Sequence, residues 1–317
     1  MPSYSGVWSL PAVYQAVAQG NWPSFLIPGS SGRGVFGGGN STSINYVDLS
    51  KRSNSSSFGD LAVSMNTGAG ASSTRGFFSA RLSTLNTINY ITIATLGNAS
   101  DFGDTTISRT ACATSNDTRG LMAGGYNDPS GRLNTIDYIT IATTGNATDF
   151  GDLTLARDGL AGVSSPTRSV FGGGGAFGSG NTIDYVTIAS AGNATDFGDL
   201  LANSSSGVQG NGSSTRGLFP AVGTTSYTNV IQYVTIASTG NSTDFGDLSV
   251  GRSVGLSSAS SSVICVFAGG NADTGFDDNV IDYVTIATTG NAVDFGDMTS
   301  YTPSGLTGGC SNSHGGL

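Results

Sequence analysis

The sequence has 317 residues, of which 49 are glycine and only 10% are charged. Its net charge of −9 and its pI near 4.3 are at odds with the clustered Lys and Arg that phosphate binding needs, so nucleic acid is not an expected partner. There is neither an apolar run of about 18 residues nor a signal segment at the start, so membrane insertion is not expected and the chain should be made in a cytoplasm.

Residues 1–30 differ from the rest of the chain and are treated as an N-terminal arm. Ser9 can cap a short helix over residues 10–19, with Pro11 in the first turn and Gly20 at the end. Two roles stay open for the arm: it packs on the body of the protein, or it anchors the protein to a partner. The side chains that would form such an anchor are Trp8, Tyr14 and Trp22.

One pattern recurs six times from residue 31 onward, Ile-x-Tyr followed by Phe-Gly-Asp, with the Phe always twelve residues after the Tyr. The tyrosines are Tyr46, Tyr90, Tyr138, Tyr185, Tyr233 and Tyr283, and the phenylalanines are Phe58, Phe102, Phe150, Phe197, Phe245 and Phe295. Successive copies lie 44, 48, 47, 48 and 50 residues apart. A period of about 40–50 residues with strand-type composition is typical of propeller blades. The sequence therefore predicts an all-β fold, a six-bladed β-propeller over residues 31–317.

Each copy divides into four predicted strands. In the copy around Tyr185 they cover residues 159–164, 167–173, 182–189 and 194–200, with a Gly-Asn turn before the last. The third strand places Ile183 on one face and Val186 and Ile188 on the other, so both faces are apolar. This is expected when a sheet is covered on both sides by neighbouring blades.

The two ends of the repeat predict how the ring closes. Most copies open with a strand of Gly, Ala and Ser, whose small side chains suit a crowded central channel. The first copy starts directly at residues 33–39 without such a strand, and residues 304–311 form one that has no partner after it. The C-terminal strand is therefore predicted to complete the first blade.

The unit resembles a kelch repeat. An apolar strand ends in a glycine doublet, a Tyr strand and a bulky aromatic residue follow, and an arginine often comes a few residues later. The doublets are Gly124-Gly125, Gly172-Gly173 and Gly269-Gly270, and the arginines are Arg109, Arg157 and Arg252. Kelch repeats usually carry Trp where this chain has Phe. The resemblance covers about residues 31–317 and implies the fold rather than a function.

A second resemblance concerns biological setting. The arm's GVWSL and GNWP are similar to segments of bacteriophage tail and virion proteins, and IDYVTIATTGNA with DFGDL is similar to propellers of marine phages. The resemblance implies a virion protein, tail-associated, that contributes to host attachment or fibre assembly and contacts other virion proteins through the arm. Alternatives are a capsid decoration protein and a glycan-binding, lectin-like propeller with a host surface glycan as its ligand.

The chain offers little catalytic chemistry, and no enzyme, cofactor or metal site is predicted. His314 is the sole histidine and is expected to lie in a mobile tail. The three cysteines are expected to be buried small side chains rather than a disulfide framework. Asp pairs such as Asp149 with Asp152 recur in the repeats, so turn capping or pairing with Arg168 or Arg216 is favoured over glycoside hydrolysis or calcium binding.

The connections between the second and third strands vary in length and sequence while the strands repeat. Variable loops on a rigid ring suit recognition, although neutral loop drift explains the variation as well. The candidate contact residues in these loops are Tyr126, Tyr227, Asp273, Phe276 and Asp277.

Overall fold

The computed structural model describes residues 26–39, 41–80, 85–175, 180–202, 209–221, 227–271, 279–299 and 307–317, and all the regular elements in these ranges are β-strands. In chain order they are β1 (Arg33–Gly38), β2 (Ser41–Asp48), β3 (Ser56–Met65), β4 (Thr67–Ala71), β5 (Arg75–Ala80), β6 (Thr87–Thr92), β7 (Ser100–Asp104), β8 (Cys112–Ser115), β9 (Arg119–Ala123), β10 (Tyr126–Asn127), β11 (Gly131–Arg132), β12 (Thr135–Thr140), β13 (Thr148–Asp152), β14 (Leu160–Ser164), β15 (Arg168–Gly173), β16 (Thr182–Thr187), β17 (Thr195–Asp199), β18 (Asn211–Gly212), β19 (Arg216–Pro220), β20 (Thr228–Thr235), β21 (Thr243–Arg252), β22 (Ser257–Ser260), β23 (Ile264–Ala268), β24 (Val280–Thr285), β25 (Val293–Asp297) and β26 (Thr307–Ser311). The helix predicted over residues 10–19 lies outside the described residues.

Six antiparallel four-stranded sheets form a six-bladed β-propeller, as predicted. From the inner to the outer strand, the blades are β26-β1-β2-β3, β4–β7, β8-β9-β12-β13, β14–β17, β18–β21 and β22–β25, which we number 1 to 6. The predicted closure is confirmed, because β26 pairs with β1 and places Cys310 opposite Val35. In blade 3 the short hairpin β10–β11 is inserted between the second and third strands.

The core lies between the blades and is built from the repeated aromatic pair. On the third strand of blade 4, Ile183 and Val186 are buried on opposite faces, which confirms that both faces are covered. The Tyr and Phe of each copy meet edge to face, with ring centroids 5.9–6.1 Å apart in all six blades. This geometry is favourable for aromatic rings, and the constant spacing of twelve residues therefore records a contact within each blade.

The Phe-Gly-Asp sequence makes a latch between neighbouring blades. In blade 4 the strand pairing skips Phe197, which forms a β-bulge and brings Gly198 against the turn of blade 5. Gly240 N of that turn donates to Phe197 O at 2.7 Å, and Asn241 Oδ1 accepts from Asp199 N at 3.0 Å. The Gly-Asn pair, predicted as a tight hairpin turn, therefore also joins two blades. At all six junctions the backbone N of the Asp donates to the side-chain oxygen of the Asn in this way.

Five junctions carry a second device, an arginine at the start of the second strand. Its guanidinium covers the tyrosine of its own blade, 4.5–4.8 Å from the ring centroid, and donates to the backbone of the next blade. In blade 4, Arg168 covers Tyr185 and its Nη1 donates to Ile236 O and Ala237 O of blade 5. The five stacked pairs are Arg33–Tyr46, Arg75–Tyr90, Arg119–Tyr138, Arg168–Tyr185 and Arg216–Tyr233.

The junction between blades 6 and 1 is different. The strand position that holds arginine elsewhere is Ile264, opposite Thr285. Ser30 supplies the missing donor, since its Oγ donates to Leu49 O at 2.7 Å and lies 2.8 Å from Ser261 Oγ of blade 6. The segment before β1 therefore helps the C-terminal strand to close the ring.

Replacing Arg168 by lysine should lower the free energy of unfolding by about 1–2 kcal/mol, although the charge is kept. A single ammonium group cannot cover the Tyr185 ring and also reach both carbonyls as the guanidinium does. Urea unfolding measures the change. The matched control is Arg132→Lys, which alters a partly exposed ion pair with Asp158 and should cost less than about 1 kcal/mol. Equal losses in the two variants would contradict the role of the stacked arginines.

Candidate functional site

The propeller presents two faces of different character. One face, which we call the loop face, carries the connections between second and third strands and the links between blades. It includes residues 126–132 and Tyr227. The turns between first and second strands and between third and fourth strands lie on the other, the plug face, together with residues 312–317.

Two of the predicted contact residues are accessible on the loop face. Tyr126 is 38% exposed and begins the β10–β11 hairpin, and Tyr227 is 44% exposed just before β20. The β10–β11 hairpin belongs to blade 3 and Tyr227 belongs to blade 5, so the two tyrosines lie in separate loops. The other predicted contacts, Asp273, Phe276 and Asp277, lie outside the described residues, as do the predicted anchor residues Trp8, Tyr14 and Trp22.

The central channel is closed at the plug face by residues 312–317. After β26 the chain crosses the channel, and Gly315 N donates to Gly212 O of blade 5 at 3.0 Å. His314 Nε2 is bonded to Ala71 O of blade 2 at 2.8 Å, and Gly316 N donates to His314 Nδ1 at 3.0 Å. The prediction that His314 lies in a mobile tail is therefore wrong: the ring is buried and both of its nitrogens are engaged.

The interior of the channel is filled as well. The small residues of the first strands line it, and the buried side chain of Gln209 reaches across it. Its amide donates to Ala69 O at 2.8 Å and accepts from Gly309 N, so it joins blades 5, 2 and 1. The space left among these groups is about 20 Å³, enough for roughly one water molecule. The part of the channel enclosed by these described residues therefore has no room for a substrate.

Acidification tests the plug. Burial lowers the pKa of His314 below its ordinary value of 6.5, and this outweighs the opposite effects of the Ala71 carbonyl and Asp117. The unfolded chain takes up a proton below pH 6.5 while the folded chain does not, so stability should fall as the pH drops below 6.5, by at most about 1.4 kcal/mol per pH unit. Urea unfolding at several pH values between 7.5 and 5 measures this.

The control for the acid effect is His314→Gln, which keeps a neutral donor and acceptor. Because His314 is the sole histidine, no other side chain has an ordinary pKa in this range. The variant should show a flat profile between pH 7 and 5.5, and an unchanged slope would contradict the assignment.

Three blades hold a buried ion pair between an arginine and the aspartate that precedes the repeat tyrosine. The pairs are Arg109–Asp137, Arg157–Asp184 and Arg252–Asp282, each with a nitrogen-to-oxygen distance of 2.9 Å. The pairing expected for the Phe-Gly-Asp aspartates with Arg168 or Arg216 is therefore wrong. Arg168 and Arg216 cover tyrosines, and the Asp149 side chain is exposed. The arginines that do form ion pairs are those of the kelch-like pattern. The aspartates that pair with them were not predicted from the sequence.

A pattern in the chain identifies these partners. Where an arginine is present, a Thr or Ser lies three residues before it and donates to the same carboxylate, as Thr154 Oγ1 does to Asp184 at 2.6 Å. Where the arginine is missing, the carboxylate is replaced by an amide: Asn89 accepts from Ala62 N in blade 2, and Gln232 accepts from Ala202 N in blade 5. Charge at this buried position thus occurs only with its counter-charge.

The sole histidine and the three cysteines are buried. Burial raises the pKa of the Cys310 thiol to about 12, and the other two thiols, Cys112 and Cys265, are buried too, as predicted. Among the described residues, no three His, Cys, Asp or Glu side chains are grouped closely enough to hold a metal ion. No helix in the described part of the chain is long and apolar enough to cross a membrane.

Comparison with known proteins matches the chain to no family model and to no curated protein.

Proposed function

We propose that the chain is a non-catalytic, kelch-like binding ring of a bacteriophage particle, tail-associated, that contributes to host attachment or fibre assembly. The observation that supports a binding role is the closed channel: Gln209 and residues 312–317 fill the space in which a propeller would take a substrate. Contacts must then be made on the outer surface. The latches at all six junctions make the ring a rigid carrier for loops of differing sequence.

The proposed place in a virion rests on the similarity of the arm sequence and of the repeat sequence to phage proteins. The arm joins the ring at Leu26, which pairs with Lys51 at the edge of the plug face. We propose that the arm contacts another virion protein. Tyr126 and Tyr227 on the loop face are candidate contacts with the host surface. No contact with nucleic acid and no membrane insertion form part of the proposal.

Gold labelling of purified phage particles with an antibody to the full chain tests the setting by electron microscopy. Label at the tail supports attachment or fibre assembly. Label over the capsid would replace this role by decoration. The absence of label from both intact and disrupted particles would overturn the virion proposal.

A further inference from the structure

A pocket of about 570 Å³ opens on the plug face between blades 1 and 2. Its walls come from the start of β1, from the end of β2 with the turn that follows, and from residues 93–94 of blade 2. This volume lies within the usual range of small-molecule sites, whereas the free volume of about 20 Å³ in the central channel is far below it. The lining residues named below all belong to the described part of the chain.

The repeat is broken at this pocket. Two residues after the repeat tyrosine, the other five blades carry threonine, and blade 1 carries Asp48. Five residues after the tyrosine, the other blades carry threonine or serine, and blade 1 carries Lys51, the only lysine of the chain. The uncharged residues are Thr92, Thr140, Thr187, Thr235 and Thr285 at the first position, and Thr95, Thr143, Ser190, Ser238 and Thr288 at the second.

The ion pair between these two charges adds little to stability. Lys51 Nζ and Asp48 Oδ2 are 3.7 Å apart, and their side chains are 44% and 43% exposed. An exposed pair of this kind contributes less than about 1 kcal/mol. Asp48 Oδ1 also accepts from Ser50 N at 3.0 Å and from Ser50 Oγ at 2.6 Å. The same fold is nevertheless built five times with hydroxyl side chains at both positions, so folding requires neither charge.

The pocket offers groups of both signs to a ligand. Lys51 and the Arg33 guanidinium bring two positive charges into a chain that carries −9 overall. Burial acts to raise the pKa of the Asp48 carboxyl, but hydrogen bonds from Ser50 and the charge of Lys51 outweigh it and leave the pKa below its ordinary value. The carboxylate is therefore ionised at neutral pH and can accept hydrogen bonds from hydroxyl groups.

Two side-chain amides complete the lining. Asn54 Oδ1 accepts from Asp297 N at 3.0 Å, and Asn312 Oδ1 accepts from Arg33 N at 2.8 Å. With each oxygen engaged by the backbone, the NH₂ groups are the atoms that can donate to a ligand. Cations for an anionic group, a carboxylate for hydroxyls and amide donors together match a ligand that carries both an acid and several hydroxyl groups.

We propose that this pocket binds an anionic sugar, such as a uronic acid unit of a surface polysaccharide. The sugar carboxylate would lie against Lys51 and Arg33. Its hydroxyls would donate to Asp48 and accept from the amides of Asn54 and Asn312. The inference rests on the proposed host attachment and deepens it, because it names a class of ligand and adds a site on the plug face to the candidate contacts on the loop face.

Isothermal titration of the full chain with glucuronate tests the pocket, with glucose and inorganic phosphate as comparison ligands. A single site with a dissociation constant near 1 mM is expected for glucuronate, with no detectable binding of glucose. Lys51→Thr installs the residue that the other blades tolerate, so the variant should fold and should weaken binding at least tenfold. Arg132→Thr removes one cation from the opposite face and should leave binding unchanged.

Three results would overturn the site: no heat with glucuronate, equal affinity in Lys51→Thr, or equal loss in Arg132→Thr. If phosphate binds as tightly as glucuronate and is equally sensitive to Lys51→Thr, the pocket takes anions in general and the sugar assignment is wrong. Failure here is distinguishable from failure of the virion proposal. If particles are labelled but glucuronate does not bind, only the proposed sugar site is contradicted. If glucuronate binds but particles are not labelled, only the proposed virion location is contradicted.

Discussion

Replacing Asp184 by alanine is expected to lower the free energy of unfolding by about 3–5 kcal/mol, because Arg157 is then left buried without a counter-charge. Burial already lowers the pKa of Arg157, and the charge of Asp184 works against that shift. The carboxylate also accepts from Thr154 N and Oγ1, so its removal breaks two further hydrogen bonds. Urea unfolding of the full chain measures the loss.

A triple variant provides the control. Ala62 and Met65 stand before Asn89 at the positions that Thr154 and Arg157 occupy before Asp184. The variant T154A/R157M/D184N therefore copies a set that the same fold already accepts, with no charge at the site. It should recover most of the stability lost in Asp184→Ala. If the triple variant is as unstable as the single variant, the cost does not come from an unpaired buried arginine.

Strictly local spacing in the sequence predicts the blades well. The distance of twelve residues between Tyr and Phe reflects one contact within a hairpin, so it survives every change in loop length. The two apolar faces of the third strand and the small first strands likewise follow from the neighbourhood of each strand. Closure by β26 was predictable because a missing strand at one end matches a spare strand at the other.

The ion pairs were harder to predict because their partners are far apart in the chain. Asp184 reads as a single polar residue within a strand, and Arg157 lies 27 residues before it. The signal was nevertheless present. Across the six copies, an aspartate precedes the tyrosine only where an arginine stands seven residues after the Phe of the preceding copy. Comparing the copies position by position, rather than reading each strand for its periodicity, would have found the pairs.

The plug was not predictable from local patterns. Residues 312–317 have no periodicity, and their partners Ala71 and Gly212 belong to blades 2 and 5. They meet only because the closed ring brings the inner strands together around the channel. The pocket beside Lys51 has a similar origin, since its walls come from two blades and from the segment after β26. A site whose residues come together only through ring closure can be recognised only once the three-dimensional arrangement of the blades is known.

Replacing Gly198 by alanine should cost about 3–5 kcal/mol, because it acts on the latch between blades 4 and 5. Gly198 has φ = +144°, a region that side chains rarely adopt. A methyl group there would lie 2.6 Å from the carbonyl carbon and oxygen of Gly240. Those are backbone atoms of the next blade, so they cannot move aside without breaking the bond from Gly240 N to Phe197 O. Urea unfolding gives the free energy.

Gly240→Ala separates the two causes. Gly240 has φ = +153°, so alanine is strained there also, but an added methyl group would meet no atom within 4 Å. We expect a loss of about 1–3 kcal/mol from strain alone, with the excess in Gly198→Ala measuring the contact between blades. Equal losses would mean that the close approach of the two glycines contributes nothing. The glycine of the repeated Phe-Gly-Asp motif would then be required only for its backbone conformation. The stability of the ring would have to come from the aromatic pairs and the stacked arginines.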